Sequence, residues 1–225
     1  MNLILFGPPG VGKGTQAVRI AQAYHLHVLS TGEILRAEVE KDSEIGRHVK
    51  DLMNKGLFPP DDLILDLVRA AMEEISEKKA GHNQGFIFDG VPRTLFQAYA
   101  LEKILQARHE KIECGILLSV DEDMLVNRLK ARYSCHACGA VYNDLYQRPS
   151  QEGVCDQCGE QQFVRRPDDE EQTIRMRLKV YAEKTRPVLS FYEEKGVVQE
   201  VDGMKNPDEV FLAIKSILSK FVGKA

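Results

Sequence analysis

Three groups of residues in this chain have the types and spacing to do chemistry. The first is Gly7-Pro8-Pro9-Gly10-Val11-Gly12-Lys13-Gly14-Thr15. Its glycines allow positive φ and let backbone N–H groups turn inward as an anion nest, while a helix starting after Gly12 adds partial positive charge. Such a loop holds a polyphosphate, with Lys13 reaching the β- and γ-phosphates of a triphosphate as a point charge. The second group is Cys135-His136-Ala137-Cys138-Gly139 and Cys155-Asp156-Gln157-Cys158-Gly159, two CxxCG knuckles with residues 139–154 between Cys138 and Cys155. Each turns two thiolates toward one point, and four sulfurs complete the closed tetrahedral shell of a structural Zn²⁺, with no open position for catalysis. His136 reads as a solvent-facing spacer, and Cys114, in an apolar run, as a small buried core residue. The third group is a set of arginines. A phosphate monoester needs a bidentate guanidinium at each end of its swing, and Arg36 and Arg93 stand on different elements that can close on it. Asp89, at the end of the apolar run from Phe86, is placed to organise Mg²⁺ through water.

These groups need a scaffold that brings them together. Asn2 to Phe6 reads as a buried strand running through the Gly/Pro loop into a helix from Lys13 to about Tyr24. Thr31, followed by Glu33 and the Leu35/Val39 spacing, is expected to cap a second helix, and Ser43 to Lys55 forms another, stopped by Gly56 and Pro59-Pro60. Leu63 to Lys79 reads as a helix, Phe86 to Asp89 as a strand, Thr94 to Ala107 as a helix and Cys114 to Ser119 as a strand. An amphipathic helix follows from Asp121 to Arg132, which places Arg128 and Arg132 one turn apart. Residues 133–167 are polar and turn-rich. Asp168 to Lys195 reads as one long helix, Val197 to Val201 as the last strand and Pro207 to about Val222 as the closing helix. The alternation predicts an α/β fold, a parallel phosphate-loop sheet with helices on both faces. A small helical insertion at 30–59 and a zinc-bound lid at 131–168 interrupt a core of residues 1–29, 60–130 and 169–225. So short a lid cannot bury a core of its own, so metal supplies the stability that packing cannot.

With Gly14 between Lys13 and Thr15, the phosphate loop resembles that of nucleoside monophosphate kinases, whereas GTPases and motor ATPases place the hydroxyl one residue earlier. Ser30-Thr31-Gly32-Glu33 followed by Leu35-Arg36, and Asp89-Gly90-Val91-Pro92-Arg93-Thr94 followed by Gln97, are similar in order and spacing to the AMP-binding elements of adenylate kinases. Family members usually carry Phe at the position of Val91 and Asp at that of Glu33. The cysteine lid resembles that of the long-lid bacterial adenylate kinases, so the resemblance spans nearly the whole chain. It implies a phosphotransferase that reversibly moves the terminal phosphoryl group of Mg·ATP to AMP, giving two ADP, in adenine nucleotide homeostasis. By resemblance, ATP is contacted by Gly10, Val11, Gly12, Lys13, Gly14 and Thr15, by Arg128, Arg132, Val141 and Tyr142, and by the backbone of Lys205. AMP is contacted by Thr31, Arg36, Leu57, Phe58 and Pro59, by Gly90, Val91, Pro92, Arg93 and Gln97, and by Arg166 and Arg177. Lys13, Arg93, Arg132, Arg166 and Arg177 carry the chemistry, and Asp168 and Asp169 tether the arginines or cap the helix after them. No general base is needed, because a phosphate oxygen of AMP is already an anionic nucleophile; positioning and cationic stabilisation do the catalysis.

The 225 residues, 43% of them hydrophobic, suffice for one sizeable core. A net charge of −4 argues against a generalised basic surface for nucleic acid. A nucleic-acid-binding zinc ribbon would want a basic stripe, but Asp144, Glu152, Asp156 and Glu160 accompany Arg148 around the knuckles. The apolar run Leu3 to Phe6 is too short for a signal h-region or a membrane span, and clustered cysteines in a reducing compartment point to metal before disulfides. The expectation is a cytoplasmic monomer acting on ATP and AMP, with neither nucleic acid nor membrane as partner. A UMP or CMP kinase would share the loop and the Asp-Gly-x-Pro-Arg segment, but the long lid and Gln97 favour AMP. The donor base, adenine or guanine, stays open at this level.

Overall fold

Leu3, Ile4, Leu5 and Phe6 are buried in succession, which a strand tolerates only where both of its faces are covered. In the computed structural model, which describes residues 1–78, 85–121 and 124–221, they form β1 (Leu3–Phe6) at the centre of a five-stranded sheet. Its neighbours are β3 (Phe86–Asp89) and β4 (Cys114–Ser119), with β2 (His27–Ser30) and β8 (Val198–Asp202) outside them, and every pairing is parallel. Ile4 and Phe6 pack on one face with Phe86, Phe88, Leu101 and Tyr192. Leu3 and Leu5 pack on the other with Ile20, Ile116, Ile214 and Leu218. The first face is covered by α4 (Asp61–Lys78), α5 (Leu95–Ala107) and α8 (Arg186–Glu194), the second by α1 (Lys13–Tyr24) and α9 (Pro207–Leu218). The expected α/β architecture is therefore borne out. The chain fills one side of β1 with β3 and β2 and then crosses to β4 and β8, so the winding reverses beside β1, where such sheets open a crevice at their carboxyl edge.

Elsewhere the local structure departs from the sequence reading. His27–Ser30 is an edge strand that the sequence reading leaves unassigned; it pairs with β3 from His27↔Phe86 to Ser30↔Asp89. Ser30, not Thr31, precedes the helix α2 (Thr31–Glu40), because the Thr31 hydroxyl is turned away to donate to the Gly90 carbonyl at 3.0 Å. Helix α3 (Glu44–Asn54) begins as expected, Ser43 accepting from the Gly46 N–H at 2.9 Å. Arg128 lies on α6 (Leu125–Lys130), but Arg132 opens a strand, so the two arginines do not share a helix. That strand, β5 (Arg132–Cys135), pairs antiparallel with β6 (Val141–Asn143) and β7 (Phe163–Val164), a small sheet within the turn-rich segment. The long helix expected from Asp168 to Lys195 is interrupted twice. A 3₁₀ turn at Pro167–Asp169 and extended Glu170 precede α7 (Glu171–Val180), and a π turn at Tyr181–Thr185 separates it from α8. Pro187 explains the second break: it has no N–H to donate back to residue 183, so the helix widens ahead of it. Expected helical positions 79, 122, 123 and 222 lie outside the described residues.

Candidate active site

Gly12 holds φ at 109° just before α1, a backbone setting that L side chains rarely adopt, and this brings the start of the helix under the phosphate loop. Lys13 Nζ turns back into the loop and donates to the carbonyls of Gly7 at 2.8 Å and Pro8 at 3.0 Å. Burial pushes its ammonium down to about 8; Asp89 opposes the shift, while Arg93, Arg177 and Arg132 add to it. Arg93 and Arg166 are each lowered to about 10, again chiefly by burial, with Arg177 and Arg132 respectively the leading cationic neighbours. Crowded cations whose charged forms are disfavoured define a place that a polyanion would neutralise.

Two cavities meet there. The larger, of about 440 Å³, is lined by Gly10, Gly12, Lys13, Gly14, Thr15, Asp89, Pro92, Arg128, Arg132, Val141, Tyr142 and Arg166. The smaller, of about 70 Å³, is lined by Thr31, Leu57, Phe58, Pro59, Gly90 and Gln97. Phe58 and Gly90 also reach the larger cavity, and Arg36, Arg93 and Arg177 line both. The structure thus brings together most of the residues that the sequence singled out. Val11 and Val91 are buried behind the lining and face neither cavity, and Lys205 is exposed in the turn before α9 and lines neither.

The arginines are held by carboxylates. Asp169 accepts from Arg132 Nε and Nη2 at 2.8 and 2.6 Å, and Arg177 pairs with Asp168 at 2.8 Å and Asp169 at 3.3 Å. Glu33, on α2, pairs with Arg36 at 2.6 Å and reaches across to Arg166 at 3.0 Å. Burial would raise its carboxyl, but hydrogen bonds and charge from Arg36 and Arg166 overcome that and hold it below the usual range.

The four clustered cysteines place their Sγ atoms within 4.8 Å of one another, with Cys135–Cys158 at 3.6 Å and Cys138–Cys155 at 3.5 Å. A tetrahedral shell with zinc–sulfur bonds of about 2.3 Å sets sulfurs about 3.8 Å apart, so this cluster fits a four-thiolate ion. Gly139 and Gly159, at φ 71° and 77°, close the two knuckles with N–H bonds back to the Cys135 and Cys155 carbonyls at 3.0 and 2.9 Å. The Tyr142 hydroxyl is the chief reason that the Cys155 thiol is drawn down to about 6. Cys114 is fully buried in β4, and burial pushes its thiol up to about 11.

Residues 5–197 match the adenylate kinase family model. The chain is 47% identical over 220 residues to an adenylate kinase of Zymomonas mobilis, covering 98% of this chain and 96% of that one. It is 45% identical over 219 residues to one of Novosphingobium aromaticivorans, covering 97% and 99%. One of Archaeoglobus fulgidus is 41% identical over 220 residues, covering 98% and 99%. The chain belongs to the adenylate kinase family.

Several residues of the site carry no motif of their own. Asp61 accepts from Gln97 Nε2 at 2.8 Å and Thr94 Oγ1 at 2.9 Å, while Gln97 Oε1 takes the Arg93 N–H at 2.7 Å. Gln97 is thus oriented from both ends, and the available signal was an acid directly after Pro59-Pro60 at a helix start. Thr185, in the π turn, donates to the Arg93 carbonyl at 3.1 Å; only Pro187 in an otherwise helical pattern marked it. Among the described residues no helix is long and apolar enough to cross a membrane.

Proposed function

We propose that the larger cavity takes Mg·ATP and the smaller AMP, and that the terminal phosphoryl group passes between them to give two ADP. The observation that carries this reading is the trio Arg36, Arg93 and Arg177, which lines both cavities and so can hold one phosphoryl group on either side of its transfer. An AMP phosphate oxygen is the nucleophile and needs no base. Lys13 and the loop N–H groups bear the donor phosphates, Arg132 and Arg166 close on the charge that develops, and the pocket of Leu57, Phe58, Pro59 and Gln97 receives the acceptor base. Asp89, through water, and Thr15 offer the oxygen donors that a hard cation takes, and would hold the Mg²⁺ that arrives with the triphosphate, which would supply counter-charge to it.

In this reading segments 30–59 and 131–168 close over a core of 1–29, 60–130 and 169–225, because water left in the site would compete with AMP for the phosphoryl group. Glu33, bridging Arg36 and Arg166, supports it by linking the two segments. Cys135, Cys138, Cys155 and Cys158 hold a structural Zn²⁺, supported by their sulfur spacing. One chain supplies both cavities, in keeping with a monomer, and five free cysteines suit the reducing cytoplasm. A coupled assay across donor and acceptor nucleotides tests the reading. AMP with ATP should give the highest kcat/KM; UMP or CMP accepted as well as AMP, or GTP used in preference to ATP, rejects it.

A further inference from the structure

Tyr142 belongs to two parts of the lid at once. Its backbone lies in β6, whose three residues line the larger cavity. Its ring, 3% exposed, is packed against Tyr133 and Phe163 with centroids 5.9 and 5.6 Å away. Its hydroxyl, at the far end, lies 3.4 Å from Cys155 Sγ. The Asp156 backbone N–H donates to the same oxygen at 2.8 Å, which uses it as an acceptor and leaves its proton to be placed elsewhere. A thiolate bound to a metal has no proton to give, so the hydroxyl is the donor and the sulfur the acceptor.

We infer that Tyr142 is a positioning residue of the metal centre: its O–H···S bond fixes the direction of the Cys155 sulfur, draws charge from it, and ties the strand lining the donor cavity to the second knuckle. The inference rests on the reading of the four cysteines as a Zn²⁺ site. Partners that orient a ligating atom from behind commonly change metal affinity by about 10–100-fold when removed. Tyr133 is the natural control, since its ring belongs to the same cluster but, among the described residues, its hydroxyl bonds none of the four sulfurs.

The test loads Co²⁺ into the wild-type chain, Tyr142→Phe and Tyr133→Phe, and records the sulfur-to-cobalt charge-transfer band. Zn²⁺ affinity is measured alongside, in competition with a chelator. Phe keeps the ring and its packing, so Tyr142→Phe removes the hydroxyl alone. The band is expected to move to longer wavelength, because a sulfur without its hydrogen bond gives up an electron more readily, and Zn²⁺ should bind about tenfold more weakly. Tyr133→Phe should change neither. If Tyr142→Phe binds too little cobalt for a band, its affinity deficit relative to Tyr133→Phe is the supporting result. An unmoved band with unchanged Zn²⁺ affinity overturns the inference and leaves the cysteine reading standing. Equal losses in both variants also overturn it, since they would reflect loosening of the ring cluster. A wild-type chain that takes up neither metal overturns both readings.

Discussion

The phosphate loop and the cysteine lid are both built from glycine-marked turns, yet they are kept in place by different means. The loop sits on β1, whose side chains are buried on both faces, so its backbone is positioned by the main core. Around the four clustered cysteines, among the described residues, the buried hydrophobic cluster is only Cys135, Tyr142 and Cys155, with Tyr133, Ala140 and Phe163 partly covered around it. That is too little apolar surface to hold a fold without a further cross-link. On the proposed reading, chemistry and rigidity are separable here. A change in the loop should remove reaction without loosening the molecule, and a change in the lid should loosen part of it without removing the reaction.

The largest separation is expected from Lys13→Met. Turnover should fall by about 10³-fold, on the scale of losing one preorganised cationic contact to the transferred group. The melting temperature should hold or rise, since the ammonium is disfavoured by its own burial and by Arg93, Arg177 and Arg132. Near-normal turnover in a steady-state assay would break the assignment of the loop. Arg93→Ala should act on the acceptor side, lowering turnover and AMP affinity together by about 10²-fold. An effect confined to ATP affinity would show that the two cavities have been assigned in reverse.

On the cysteine side, replacing Cys135 and Cys138 with Ser should release the proposed Zn²⁺, lower the melting transition and leave transfer weakened by about tenfold. Metal analysis, a melting curve and a coupled assay on one preparation decide it. Loss of all transfer by a variant whose core still melts cooperatively would erase the contrast between the two regions, as would an unchanged melting curve after the metal has gone.

How much of this was legible in the sequence follows the same division. The phosphate loop and the knuckles are contiguous, and their spacing alone identifies them. The ties that hold the arginines are not contiguous: Arg132 and Asp169 are 37 positions apart, Arg166 and Glu33 133 apart. No local pattern announces such pairs. The short strands β2, β5, β6 and β7 escaped because two to four residues carry too little alternation to read, and their hydrogen-bonding partners decide them. The break at Tyr181–Thr185 was masked by good helical periodicity on either side, although Pro187 was in view.

A smaller effect should appear with pH. Lys13 in the free protein titrates near 8, below its ordinary 10.5, and the donor phosphates favour its charged form. Binding therefore takes up a proton above pH 8, and ATP affinity should fall with rising pH by at most tenfold per unit, while the Lys13 contribution is flat below 8. Stability of the free protein runs the other way. The cost of the buried charge is full below pH 8 and fades between 8 and 10.5, where the unfolded chain still holds the proton that the folded one has lost. Calorimetry at pH 9 in buffers of different ionisation heat should register the proton uptake, and its absence would detach Lys13 from the donor phosphates.

The smallest effect sets one cysteine against the other four. Cys114 is fully buried in β4 between Ile116, Leu118 and the residues of the sheet face they share, and burial pushes its thiol up to about 11, so it is neither a ligand nor a nucleophile. Cys114→Ala removes one sulfur's worth of packing and should cost about 1 kcal/mol, with metal content and kcat unchanged. Alkylation adds a sharper distinction, because reactivity follows the accessible thiolate. With the metal in place all five thiols should resist labelling; a chelator should expose the lid cysteines, Cys138 and Cys158 first because they face solvent. Cys114 should then react only when the core itself unfolds. Labelling of Cys114 together with the lid would mean that the two regions open as one cooperative unit, and the division between a core held by burial and a lid held by metal would fail at its most protected residue.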